Sequence, residues 1–312
     1  MRIGIHCSTS GSLERAAMKA HELGANTFQI FSASPRMWRA NEPDPHQINL
    51  LNNARDEHDL TPLVIHDSYL INLASADTVI REKSISAFRG ELRRALLIGA
   101  EYLVAHPGNY KGLPILQGIE NVADAIADAW HGIDLSLRRK PKLSILLENT
   151  AGAGSQLGGK LEELAMIREL AAPRIDIPIA YCVDTCHCYV AGFDIAQEKG
   201  LSDFIGHASD VLGLSHVPIV HSNDTKMKLD SHCDRHANIG DGYIGLEGFR
   251  RILNHPKLRQ KAFILETPVD EPGDDLRNVT ALKELVSPKK RSIPKKLSQS
   301  GRSSGQRTRR ST

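Results

Sequence analysis

Eight short β-rich runs recur along residues 1–286, separated for the most part by longer segments of helical period. They are "RIGIH" (2–6), "TFQIF" (27–31), "PLVIH" (62–66), "YLVAH" (102–106), "LSILLE" (143–148), "AYCVD" (180–184), "VPIVH" (217–221) and "AFILE" (262–266). Nothing else in the sequence restricts the fold as strongly, because strands that alternate with helices build βα units on a parallel sheet. The helices are legible too. "SLERAAMKAHELGA" opens on a serine cap signal, and in it and in "REKSISAFRGELRRALLIGA" apolar residues recur three to four apart. Eight such units over about 285 residues fit an α/β fold of the (β/α)8, or TIM-barrel, kind. The competing doubly wound open sheet wants a Gly-rich phosphate turn after its first strand, and none follows "RIGIH".

In a barrel of this kind the reacting groups lie at the C-terminal rim, where each strand gives way to a loop. Besides "RIGIH", which ends on His6, six of the eight runs finish on a metal-ligating side chain: His66, His106, Glu148, Asp184, His221 and Glu266. So many carboxylates and imidazoles in one mouth would repel one another or stay unpaired unless cations were shared among them. Two loops add donors. In "VDTCHCY" His187 lies three residues past Asp184, so that one can face inward while the other reaches a neighbouring site. The stretch from His221 to Gly245 is dense in histidine and aspartate, with His232, Asp224, Asp230 and Asp241 beside Asp234 and His236. Asp234 and His236 are two apart and point the same way from an extended segment. Five histidines, two aspartates and two glutamates exceed the needs of one or two tetrahedral ions, so three ions are expected. Mixed imidazole and carboxylate donors favour zinc, with manganese or iron as alternatives.

Composition narrows the class of protein. At 41% the hydrophobic content is enough for a buried core, and no stretch approaches the roughly 18 uninterrupted apolar residues of a membrane span. The start, "MRIGIHCSTSG", lacks the apolar run of a signal peptide, and a cytoplasmic protein without membrane contact is expected. Five cysteines, three of them crowded at Cys182, Cys186 and Cys188, read as reduced thiols and not as a disulfide framework. Charge is uneven. The segment 287–312 holds nine Lys or Arg and no acid, so that +2 overall less +9 leaves about −7 on residues 1–286. Too poor in apolar residues to offset its chain entropy, this tail is expected to be disordered, leaving residues 1–286 as the barrel domain. It reads either as a solubilising end or as a cationic arm for phosphate.

Longer motifs stand in order along the chain: "HDSYLINLA" (66–74), "HPGNY" (106–110), "LENTAGAG" (147–154), "VDTCHCYVAGFD" (183–194), "HSNDTK" (221–226), "DRHANIGDGYIG" (234–245) and "LET" (265–267). From Arg2 to about Val286 the chain resembles the endonuclease IV family of apurinic/apyrimidinic endonucleases, trinuclear zinc barrels of DNA repair. The resemblance implies that His66, His106 and Glu148 hold one zinc ion. It implies that Glu148 bridges to a second, held also by Asp184, His221 and Glu266, and that His187, Asp234 and His236 hold a third. It further implies that "SPRMWRA" (34–40) is a DNA-penetrating loop, with Arg36 the inserted side chain and Tyr69 a second DNA contact. The activity implied is hydrolysis of the phosphodiester 5′ to an abasic site in double-stranded DNA, leaving a 3′-hydroxyl and a 5′-deoxyribose phosphate, with trimming of blocked 3′ ends. A monomer is expected, with Glu148 catalytic through its bridging place. Divalent cations bring the pKa of water down to about 7 and offset the charge that builds on phosphate. An abasic nucleotide has no base to unstack, so extrusion into a tight pocket selects for damage.

Two other readings stand beside this one. A sugar isomerase or epimerase on a similar divalent-metal barrel would need fewer ligands and a general base set against a sugar carbon. A catalytically silent DNA-damage binder would tolerate lost ligands, and here none is missing. Among the remaining histidines only His6, at the end of the first run, is expected near substrate or behind the donors. Asp67 reads as a supporting carboxylate. Cys186 and Cys188 are expected to pack beneath the donor loop, and the glycines of 152–159 read as a flexible loop beside the metal.

Overall fold

The computed structural model describes residues 1–138 and 142–286. The segment 287–312, read above as a disordered basic tail, lies outside the described residues. Strands β1 (Arg2–His6), β2 (Thr27–Phe31), β3 (Leu63–His66), β4 (Tyr102–Ala105), β5 (Ser144–Glu148), β6 (Ile179–Asp184) and β7 (Ile219–His221) are followed by two short strands, β8 (Asp224–Thr225) and β9 (His236–Ala237), and then by β10 (Ala262–Leu265). The helices are α1 (Leu13–Glu22), α2 (Pro45–Glu57), α3 (Thr78–Ile98), α4 (Ile115–His131), α5 (Leu161–Ala171), α6 (Thr185–Val190), α7 (Glu198–Val211), α8 (Gly245–Asn254) and α9 (Asp274–Leu285). All strands but β8 and β9 pair in parallel into a closed barrel, in which β1 joins β2 on one side and β10 on the other. The TIM barrel read from the alternation is therefore the fold of the chain. β8 and β9 form a separate antiparallel ribbon, pairing Asp224 with Ala237 and Thr225 with His236.

Local chemistry sets the helix ends. The Ser12 side chain accepts from Arg15 N and caps α1, whose Leu13, Ala16, Ala17 and Ala20 face the core at helical spacing. Asp77 accepts from Val79 N and Ile80 N at the start of α3, and Gly99, left-handed at φ 75°, ends it.

The barrel has two apolar layers because strand side chains alternate. Outward residues such as Phe28, Ile65, Leu103, Leu147, Val220 and Phe263 join the helices in the main core. Inward residues Val64, Val104, Leu146, Cys182, Ile219 and Ile264 form a second cluster that plugs the barrel. Two residues further along each strand, the same inward rows end on His66, His106, Glu148, Asp184, His221 and Glu266. A one-residue slip in β5 would turn Glu148 into the outer core and Leu147 into the mouth. Burial at about 1.5–3 kcal/mol per large apolar side chain holds the register against that.

Six strand ends differ from the runs read in the sequence, β5 beginning one residue later, at Ser144, and β6 one residue earlier, at Ile179. β3 begins at Leu63 and β7 at Ile219, one residue after a proline in each case, which has no N–H to give the ladder. β4 and β10 stop one residue short of His106 and Glu266. Glu266 gives its N–H to Asn223 Oδ1 and so leaves the sheet. Among the described residues no helix is long and apolar enough to cross a membrane.

Candidate metal centre

Glu148, fully buried at the end of β5, is the hub of the mouth. Its Oε2 lies 3.2 Å from His66 Nε2 and 3.1 Å from His106 Nε2. Its Oε1 lies 2.9 Å from His221 Nδ1 and 3.5 Å from His187 Nδ1. Around this hub the nine donors fall into groups whose ligand atoms lie within 4.8 Å of one another, among them His66, His106 and Glu148; Glu148, Asp184, His221 and Glu266; and His187, Asp234 and His236, while Cys182 joins Glu148 and His221, and Cys186 joins Asp184 and His236, in two further groups.

How each donor gets there follows from its element. Asp184 ends β6 and caps α6, accepting from His187 N at 2.7 Å, so that the first turn of α6 carries His187 over the mouth. His236 stands on β9, within the connection that leads from β7 to α8. Its Nε2 and that of His187 each lie 3.2 Å from an oxygen of Asp234, Oδ1 and Oδ2 respectively.

The imidazoles are aimed. His66, His187 and His236 each set Nδ1 on a backbone carbonyl, of Asp67, Asn149 and Glu266 respectively. That leaves Nε2 for the mouth, whereas His221 gives Nε2 to Gln29 Oε1 at 2.8 Å and turns Nδ1 to the carboxylates. A ring whose far nitrogen is fixed in this way presents the near one as a lone pair for a cation. The His236 Nε2 atom is buried and finds no hydrogen-bond partner among the described residues, although Asp234 is near. An orphaned ring nitrogen among carboxylate oxygens fits a divalent ion as the missing partner.

Charge tells the same story. Burial opposes the ionised form of Glu148, but the charges of His221 and His106 hold its carboxyl well below the usual range. Burial likewise opposes Glu266, yet chiefly His221 brings it down to about 2. Burial works against charge on His66 as well, and the hydrogen bond to Glu148 overrides it, lifting the ring to about 10. His236 is pushed up to about 12, burial being outweighed first by Asp234. Asp184 goes the other way, because burial wins over His187 and His236 and raises it. The field that would hold protons on these rings at neutral pH is negative, and a divalent cation would compete for the same place.

Several residues read from the sequence lie elsewhere. Asp224 turns to backbone amides, Asp230 and His232 face each other at 3.3 Å, and Asp241 pairs with Arg277. Asp67 lies behind His66, with Oδ1 3.7 Å from its Nδ1. Cys186 is buried with Ala151 and Val190 beneath the donor loop, its sulfur 3.8 Å from Asp234 Oδ1. Cys182 sits under Glu148 and His221 in the barrel plug, where burial pushes its thiol well up.

Two supporting residues escaped the sequence reading. Gln29 Nε2 donates to Glu266 Oε1 at 2.6 Å and approaches His6 Nδ1 at 3.1 Å. Burial lowers His6 to about 4, so that its neutral ring can accept. Asn223 donates to Asp184 Oδ2 at 2.5 Å and Glu266 Oε2 at 3.3 Å. The signal was available for Gln29, a polar residue at an inward position of "TFQIF".

Over the donors opens a groove of about 1660 Å³. His66, His106 and His236 line it, as do Tyr69, Lys226 and Arg235, whereas Glu148, Asp184 and His221 lie beneath. Tyr69 is 74% exposed and stands edge-on to Phe31, with ring centroids 5.2 Å apart. Arg36 is exposed on the loop after β2, next to the groove residue Pro35.

A family described as a xylose isomerase-like TIM barrel matches residues 18–286. A relative from Solibacter usitatus named "Probable endonuclease 4" is 60% identical over 289 residues, which cover 93% of this chain and 98% of the relative. The crystal structure of endonuclease IV from Thermus thermophilus superposes with a TM-score of 0.79 at 36% identity, covering 91% of this chain and 98% of that one. A D-tagatose 3-epimerase-like protein matches at TM-score 0.66 and 19% identity over 91% of this chain and 97% of its own, a likeness of fold alone. Identity of this extent over nearly the whole of both chains is a likeness of sequence as well as of barrel, and the chain belongs to the endonuclease IV family.

Proposed function

We propose that the chain is a metal-dependent apurinic/apyrimidinic endonuclease that hydrolyses the phosphodiester 5′ to an abasic site in duplex DNA and trims blocked 3′ ends, acting as a monomer in the cytoplasm. The gathering of nine donors into three sets around Glu148 carries the reading. His66, His106 and Glu148 would hold one ion, Glu148 with Asp184, His221 and Glu266 a second, and His187, Asp234 and His236 a third. Three zinc ions bound there would supply the positive charge that makes water nucleophilic near neutral pH and offsets the charge on the reacting phosphate.

The chain's own residues do the rest. Glu148 reaches four imidazoles at once and so sets the spacing of the whole mouth. Lys226 and Arg235, on the groove wall, suit the phosphates of a bound strand. Tyr69, which lines the groove, and Arg36, exposed next to the groove residue Pro35, would serve as wedge and filler to hold a bent duplex with the abasic nucleotide turned out. A sugar isomerase reading has only the shared fold in its favour.

The test is incubation of the metal-loaded chain with a duplex carrying a single abasic analogue, followed by sizing of the strands. One cut 5′ to the analogue, with a 3′-hydroxyl end, is expected. Tight binding without a cut would favour the silent binder, and neither binding nor cutting would remove DNA from the account.

A further inference from the structure

The connection from β7 to α8 delivers Asp234 and His236 to the mouth, and joins the main core through Ile239 and Ile244. Asp224 lies inside this connection, fully buried. What surrounds its carboxylate is backbone. Oδ1 accepts from Thr225 N at 2.8 Å and Ile244 N at 2.9 Å. Oδ2 accepts from Gly240 N at 3.0 Å, Gly242 N at 3.1 Å and Gly245 N at 3.2 Å. A buried charge is tolerable only when its lone pairs are met in this way, and each charge-assisted bond is stronger than a neutral one.

The loop is shaped to the carboxylate. Gly240 and Gly245 sit at φ +91° and +68°, where other residues are strained, and a Cβ on Gly242 would come within 2.4 Å of both Asp224 Oδ1 and Thr225 O. Ile244 and Gly245 open the ten-residue α8, so the carboxylate also meets the positive end of that helix. Asp224 pairs in the ribbon with Ala237, the neighbour of His236. One residue thus ties together the start of the connection and its end through its side chain, and through its backbone the strand that bears a donor.

We propose that Asp224 is a positioning residue for the third metal site: it ligates nothing, and it holds the 234–245 loop so that Asp234 and His236 face His187. The delivery of a metal ion rests on the reading of the site given above; the pinning of the loop rests on the hydrogen bonds alone.

The full chain and its Asp224→Asn variant separate these two parts. Replacing one oxygen by an amide group sets a donor against backbone donors. In chelator-treated protein the amides of 240–245 should exchange at least about tenfold faster in the variant, while those of the barrel strands do not change. Loaded with zinc, the variant should keep two ions and lose one, and added zinc should restore incision. His236→Ala is the contrast, losing the same ion while its metal-free loop stays protected. Protected loop amides together with a full zinc complement in Asp224→Asn would overturn the proposal. Should that variant fail to fold, Gly242→Ala presses on the pin from the loop side, with the same expectations and the same contradicting result. Fewer than three ions in the unaltered chain would contradict the reading of the site, while the exchange comparison would still decide the pin.

Discussion

The strand-end donors and the loop-borne donors are held in place by different forces. His66, Glu148, Asp184 and His221 are 5% exposed or less, and each continues an inward row whose lower members are the barrel plug. Their positions are consequences of core packing, which is stiff and close to crystal density. Asp234 is about half exposed at 49%, and it hangs on a connection that hydrogen bonds hold. The strand-end donors should therefore tolerate substitution without moving, so that chemistry alone suffers. The loop-borne donors should be removable as a unit, with the barrel left standing.

The largest effect is expected at the hub. Glu148→Gln removes one negative ligand common to two sets, and incision should fall by about 10³-fold or more with an unchanged unfolding midpoint, because no apolar contact is lost. Near-normal turnover with metal content intact would mean that Glu148 does not bridge. Next comes His236→Ala, where one ion of three should be lost and kcat should drop by about 10²-fold. Loss of all ions together would break the distinction between the two groups of donors, since it would make the loop as central as the strands.

A smaller change is expected at Gln29, which orients His221 and Glu266 from β2 across the barrel mouth. Gln29→Leu should cost about 10-fold in zinc affinity, read by competition with a chelator, and the strand-end ions should be the ones affected. Preferential loss of the loop-borne ion would contradict the assignment of Gln29 to the strand-end donors. Smallest at the chemical step is Arg36→Ala, which should lower discrimination of abasic from intact duplex and leave the single-turnover rate at saturating enzyme as it was. An equal fall in affinity for both duplexes would reduce Arg36 to a phosphate contact.

Much of this could be read from the residues. "LSILLE" and "AYCVD" announce both a strand and its inward terminal carboxylate, since alternation and burial are local properties of sequence. The loop-borne part was legible as donor types but not as geometry. Nothing in "HSNDTK" distinguishes Asp224, which meets the amide of Thr225 and four more far along the chain, from an aspartate that binds metal. The two-residue strands β8 and β9 leave no periodic signal, and their pairing depends on that distant bond set. Backbone carbonyls that orient His66, His187 and His236 carry no side-chain signature at all.

The central claim is that strand-end and loop-borne donors together hold three ions at one mouth. Elemental analysis of the full chain purified without added metal, paired with its incision rate, tests this most directly. The account predicts about three divalent ions per chain, mainly zinc, in fully active protein. Two or fewer ions in fully active protein would contradict it.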